Sequence, residues 1–369
     1  MNINSKYIPF LKFKRNEVYA LDDLDTGLKE SLSVFFDMPN ELPSKSHNGA
    51  NSFSHKELLD FKNEFFRKKI SEQKVYLSKK LNWIDELFID NYDIDPLVSV
   101  DGKTYNYQTI IDEFSSYNMI PVCGVDDRVE EHLNCIIESA KDKKFKTDKI
   151  VIRLTDTTFE DYEYIQDDFD TLIKSLSNYF KKIILLFDLR CIADHNKITA
   201  NILNFLNNLE LRDFYKIIVT GSSIPKVISE LLSTNTSLDL CRLEVLVFKA
   251  LKDKKIKFDF GDYTCVSPDT SFLDIYIEEI QSYMTGKIFY PYKNNLFITR
   301  SGRLRGKRTP FKPLLDIIVS KTFFRMGHYS KGDKYILEKQ PTGEKVNVTS
   351  ILKPNINLHM TYMLRDFSI

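Results

Sequence analysis

Apolar positions along the chain follow two rhythms. Short, nearly continuous apolar runs end abruptly in charge, and between them lie longer stretches with apolar residues three and four apart. The clearest run is Lys181–Arg190, KKIILLFDLR, in which Ile183–Phe187 lead straight into Asp188 and Arg190. A run of that length predicts a strand buried on both faces, as in a parallel sheet covered by helices. Further strands are expected at Tyr7–Phe13, Val34–Phe36, Leu87–Asp90, Met119–Val125, Lys149–Leu154, Tyr215–Thr220 and Ile256–Phe260. Helical spacing fills the gaps at Glu17–Leu32, His55–Glu86, Tyr107–Ser116, Glu130–Asp142, Phe159–Phe180, Thr199–Leu211, Pro225–Leu232 and Leu243–Leu251. Asn40–Ser54 is polar and turn-rich, a surface loop.

Eight strands alternating with helices predict an α/β fold, a (β/α)8 TIM-like barrel over residues 1–283. A doubly wound open sheet is the rival, because the second and third strands are short. Beyond Met284 the rhythm breaks into LFITR, the basic run RSGRLRGKR and GHYSKGDKYILEK. Residues 284–369 therefore read as a C-terminal α+β extension, with strands at LFITR and KYIL. That length is small for an independent core, so docking on the barrel mouth is expected.

Composition narrows the function classes. Lys plus Arg and Asp plus Glu are equal at 52 each, which argues against a general nucleic-acid or membrane-surface binder. No apolar run is long enough for a spanning helix, and MNINSKYIPF lacks a signal-peptide core. The five cysteines are scattered and form no CxxC, as in a reduced cytoplasmic protein without a zinc site. No Gly-rich dinucleotide fingerprint follows any strand, and neither His132 nor His195 shows metal-ligand spacing. No metal site is expected, and the cofactor is left open.

In a barrel the C-terminal strand ends converge on one face. Lys12 and Glu17, Asp37, Asp90, Asp126, Arg153, Asp188 with Arg190, Ser222, and Asp259 with Asp262 all fall at such ends. Carboxylates from different strands around one cavity could bind a metal ion or share a proton, while Asp and Ser at the same places also start loops and cap helices. Arg153 is the most informative, because a guanidinium inside a buried strand must be paired or face a wet cavity. It is expected to pair with Asp126, Asp188 or Asp262. Ser222 and Ser223 follow Gly221 in a turn that could offer backbone N–H groups to an anion, or simply cap a helix beginning at Pro225.

Short motifs spread over the chain, YIPFLKFKRNEVYAL, MIPVCGV, RLEVL at Arg242–Leu246, FGDYTCVSP at Phe260–Pro268, LFITRSG, SKGDKYI and NLHMTY, resemble the beta protein family of phages, prophages and bacterial mobile islands. The matching residues are Lys12, Glu17, Arg242, Glu244, Gly261, Asp262, Tyr263, Arg300, Gly332, Asp333 and His359. Where the family tends to carry paired histidines this chain has Leu358-His359, so a two-histidine site is in doubt. The resemblance brings no established activity. It implies a context of accessory genes linked to phage exclusion and to a killer gene that the beta protein counteracts.

Two readings follow. One is a cytoplasmic immunity, antitoxin-like or anti-phage defence factor that binds a co-encoded killer protein, with neither membrane nor nucleic acid as partner. The other is a barrel hydrolase or lyase acting on a phosphate-bearing or nucleotide-like substrate. For catalysis the candidates are Lys12, Glu17, Asp188, Asp262 and His359; for binding, Arg153, Arg190, Ser222, Ser223, Arg300 and Asp333. A deep polar pocket at the strand ends favours the enzyme, and a filled mouth favours the binder.

Overall fold

The computed structural model describes residues 6–30, 32–40, 54–209, 214–269 and 284–369. Most of the loop expected over Asn40–Ser54, and the end expected for the helix at Leu211, lie outside them. Nine parallel strands form the main sheet: β1 (Tyr7–Lys12), β2 (Ser33–Asp37), β3 (Glu86–Asp90), β4 (Met119–Ile120), β5 (Val122–Gly124), β6 (Lys149–Thr155), β7 (Lys182–Cys191), β8 (Lys216–Ser222) and β10 (Asp259–Asp262). Their order is β4-β3-β2-β1-β10-β8-β7-β6-β5. The outermost two are one extended run interrupted at Pro121, which has no N–H to give a ladder. β4 pairs with β3 and β5 pairs with β6, so that run closes the sheet into an eight-position barrel. The open-sheet rival is thereby excluded.

Side chains alternate across each strand, and this period of two sorts the core. Ile8, Phe10, Phe35, Phe88, Ile120, Val122, Val151, Ile184, Leu186 and Ile218 pack inside the barrel with Tyr263. Residues of opposite parity, such as Leu11, Phe36, Ile152, Phe187 and Phe260, meet the surrounding helices. Continuing the inward parity by one step places Lys12, Asp37, Asp90, Arg153 and Asp188 in a single layer at the C-terminal rim. Asp262 shares the outward parity of Phe260 and falls on the other side of the wall.

Three expected elements differ. Pro225–Leu232 is not a helix; it holds only a short 3-10 turn, Ile228–Glu230. The chain then runs into β9 (Thr236–Cys241), which pairs antiparallel with β12 (Asn295–Arg303), itself paired with β11 (Thr285–Tyr292). A loop committed to that pairing has no length left for a helix. KYIL is not a strand but part of the helix Lys331–Lys339, capped by Ser330 and buried on one face through Gly332, Asp333 and Ile336. His55–Lys79 is a single helix with a Ser54–Glu57 capping box.

The last helix, Val348–Arg365, is buried at every position from Pro354 to Met363. Its two sides serve different cores, which is why it is buried all round although Asn355, Asn357, His359 and Thr361 lie on it. Ile356, Met360, Tyr362 and Met363 join the core outside the barrel wall, while Ile351 and Leu358 join Ile288, Tyr290, Phe311 and Leu315 under the three-stranded sheet. Gly332 lets the Lys331–Lys339 helix lie against it, since a Cβ there would stand 2.3 Å from the Pro354 carbonyl oxygen.

Candidate functional site

The rim layer inside the barrel is a closed ionic network built on Arg153. Its Nε and Nη2 donate to Asp188 Oδ2 at 3.0 and 2.5 Å, and its Nη1 donates to Asp37 Oδ1 at 2.7 Å and to Asp90 Oδ2 at 2.6 Å. The Tyr263 hydroxyl donates to the same Asp188 oxygen at 2.7 Å. Secondary cations complete the set: Lys12 donates to Asp37 at 3.2 Å and to Asp93, and Arg128 donates to Asp90 at 2.8 Å. Arg153 is wholly buried and so are Asp90 and Asp188. Burial works against a charged Asp37, yet Arg153 and Lys12 hold it well below the usual carboxylate range. Burial likewise opposes the Arg153 charge, and Asp37 and Asp188 more than restore it.

Tyr92 closes the network from above. The guanidinium carbons of Arg153, Arg128 and Arg190 lie 4.5, 4.9 and 5.0 Å from its ring centroid. Arg190 has a left-handed backbone (φ 49°), which turns its N–H back to Asp188 at 3.1 Å and sends its side chain to Asp269 at 3.0 Å. Arg153 thus has Asp188 as one of its expected partners. Asp126 is exposed and takes no part in the Arg153 network among the described residues, and Asp259 sits at the opposite end of the barrel, paired with Lys216 at 3.0 Å.

A second buried cluster stands outside the wall, under the last helix. Asp262 accepts from Tyr7 at 2.8 Å and Arg242 at 2.6 Å, and its Oδ2 lies 2.8 Å from His359 Nε2. Arg242 also donates to Glu244 at 2.7 Å, and Glu244 accepts from Ser223. Although burial opposes its charge, His359 and Arg242 hold Asp262 well below the usual range. Because β10 alternates, Asp262 and His359 share no site with Asp188. Ser223 accepts the Leu243 N–H at 2.6 Å and Ser222 accepts the Ile224 N–H at 3.0 Å. No helix starts at this turn, and both hydroxyls are engaged by the chain itself rather than offered to an anion.

The other candidates in the extension, Asp333 and Arg300, lie apart from both clusters. Asp333 stands in the first turn of its helix, accepting from Tyr290 at 2.6 Å and from the Ser330 cap, and burial raises it from the ordinary carboxylate value. Arg300 donates to Thr285 at 3.1 Å and to the Leu232 carbonyl. In the basic loop, Arg308 pairs with Glu344 of the same extension at 3.3 Å, not with the rim acids. Glu17, together with Lys12 of the rim network, lines a further feature, a cleft of about 400 Å³ between the barrel rim and the extension.

Sequence reasoning missed Tyr92, Asp93 and Arg128 at the mouth. They follow strand ends by two to four residues, and that position was the available signal. Among the described residues no group of three or more His, Cys, Asp or Glu is placed to hold a metal ion. Among the described residues no helix is long and apolar enough to cross a membrane.

A family model described as Beta protein matches residues 7–365, nearly the whole chain. The chain belongs to the Beta protein family. The Beta family residues Lys12, Glu17, Arg242, Glu244, Asp262, Tyr263 and His359 are all buried or nearly so at the two clusters or the cleft. No curated protein matches. Among solved structures the chain is similar to a family 18 chitinase from Crocus vernus, at 12% identity over 70% of this chain and 92% of that one, with a TM-score of 0.34. A likeness at that level carries no argument about activity.

Proposed function

We propose that this Beta family protein acts by binding, as an accessory immunity factor that holds a co-encoded killer protein in check inside the host cell. The family context supplies the class of partner. The observation that carries the reading is the filled mouth, in which Arg153, Asp37, Asp90 and Asp188 are at most 2% exposed at their side chains and spend their charge on one another. A hydrolase or lyase working through the strand-end acids needs Asp188 or Asp262 within hydrogen-bond reach of its substrate. Asp188 is under Tyr92 and the arginines, and Asp262 with His359 is under a helix.

Co-expression with the neighbouring killer gene tests this, read as survival and as pull-down of the killer protein. Asp188→Asn keeps the shape of the mouth and is expected to retain both. Charged substitutions at exposed apolar positions, Leu97→Asp, Tyr164→Asp and Met326→Asp, are expected to include one that loses both while melting normally. Loss of protection in Asp188→Asn with normal melting and intact pull-down overturns the binding reading in favour of catalysis.

A further inference from the structure

The cleft between rim and extension holds groups that the fold leaves unsatisfied. Lys287 on β11 and Lys226 after β8 line it together with Lys12 and Lys14, of which Lys12 is already held by Asp37 and Asp93, and with Asp269, which is held by Arg190; Phe289 and Leu352 are among its apolar residues. Lys287 stands directly across the β11–β12 ladder from Arg300. Like charges in that position destabilise a sheet. Arg300 is held by a threonine hydroxyl and a carbonyl, and among the described residues no carboxylate is seen pairing with Lys287. Burial and Arg300 lower its pKa, so this cation is kept at the expense of the apo fold.

Two buried oxygens in the same lining, Glu17 Oε2 and Asn355 Oδ1, have no hydrogen-bond partner among the described residues. Both residues are at least nine-tenths buried. Unpartnered buried polar atoms and an unpaired cation facing one cleft call for a ligand that brings both charge and hydrogen bonds.

We propose that this cleft binds a small molecule of nucleoside monophosphate chemistry, one phosphate joined through a ribose to a flat heteroaromatic base, with Lys287 as the principal anion contact. The volume falls within the usual range for such ligands, and the mixture of cations with apolar residues matches a molecule polar at one end. Glu17 acts beside the phosphate. Burial pushes its carboxyl up to about 7, against the pull of its backbone contact, Lys14 and Lys12. Cys265, opposite it, is kept a neutral thiol by burial, and Asn355 is uncharged. Below pH 7 the protonated carboxyl donates to a phosphate oxygen; above it the carboxylate repels the anion. The inference goes beyond the binding reading and does not rest on it.

Calorimetry on the full chain with AMP, GMP, CMP and UMP, their nucleosides, and inorganic phosphate tests it. At least one monophosphate is expected to bind saturably, with its nucleoside and free phosphate each about tenfold or more weaker. Lys287→Gln should weaken that binding about tenfold without lowering the melting temperature of the free protein, because the variant removes an unpaired cation. Glu17→Gln should flatten the pH dependence, so that the ratio of wild-type to variant Kd rises between pH 6 and 8. The proposal is overturned if no monophosphate saturates below about 5 mM, if nucleosides bind as tightly, or if Lys287→Gln binds as wild type. Should Lys287→Gln lower melting and binding together, Lys226→Gln decides: unchanged binding there overturns the proposal, and weakened binding with normal melting supports it. Failure on any count leaves the survival and pull-down results untouched.

Discussion

Replacing Arg153 by Met tests how the barrel mouth is held together. Methionine fills most of the volume of the arginine stem and removes every donor. Four hydrogen bonds to carboxylates disappear, two to Asp188 and one each to Asp37 and Asp90. Each acid keeps something: Asp37 keeps Lys12, Asp90 keeps Arg128, and Asp188 keeps Tyr263 and the Arg190 N–H. The loss is therefore that of breaking one buried ionic site from one side, roughly 3–5 kcal/mol at pH 7. The pH profile separates this cause from simple repacking. In the wild type the Asp37 pKa is depressed in the folded state. Its contribution is full above the unfolded carboxylate value of about 3.9 and fades as pH falls through the lower folded value. In the variant, burial without the guanidinium raises Asp37, so the folded state binds more protons than the unfolded one. Stability of the variant then rises as pH falls from 7 toward 5, and the deficit shrinks. Urea unfolding at pH 7, 6 and 5 measures it. A deficit below about 1 kcal/mol, the scale of an exposed ion pair, or one that stays constant with pH, refutes the reasoning.

Gly261→Ala is expected to destabilise strongly, because the new Cβ would stand 2.4 Å from the Ile8 carbonyl oxygen and 2.6 Å from the Phe10 ring; a loss under about 1 kcal/mol in urea would contradict the barrel packing. Glu17→Gln should stabilise the free protein at pH 8 by about 3 kcal/mol relative to pH 4.5, since the raised folded pKa means that wild-type stability falls as pH climbs from the unfolded value toward about 7. Asp262→Ala strips Tyr7 and His359 of their shared acceptor and leaves Arg242 with Glu244 alone, so a loss of roughly 3–5 kcal/mol in the same assay is expected. Expression of residues 1–283 alone should give insoluble or non-cooperatively melting protein, because it removes Ile356, Met360 and Met363 from the core outside the wall; a soluble fragment as stable as the full chain would show that the extension is dispensable.

The apolar runs by themselves determined the barrel. Strands buried on both faces must be nearly all apolar, so their positions and the charges at their ends stand out in one dimension, and Ile183–Phe187 running into Asp188 is the plainest case. A guanidinium within such a run had to be compensated, and this made Arg153 legible before any partner was known. Which acids answer it was settled only by closure of the sheet, which brings β2, β3 and β7 around β6. Asp188 and Asp262 look alike as strand-end acids, but one faces the interior and the other the last helix. Parity relative to the core decides that, and a four-residue strand such as β10 shows too little alternation to reveal it. The strand–helix ambiguity of KYIL is of the same kind, for a short apolar run carries no period until its neighbours supply a face to bury. The cleft was invisible for a different reason: Lys12, Glu17, Lys287 and Asn355 meet only because a helix more than 300 residues away from β1 returns to cover it, and no local pattern records a contact between such distant segments.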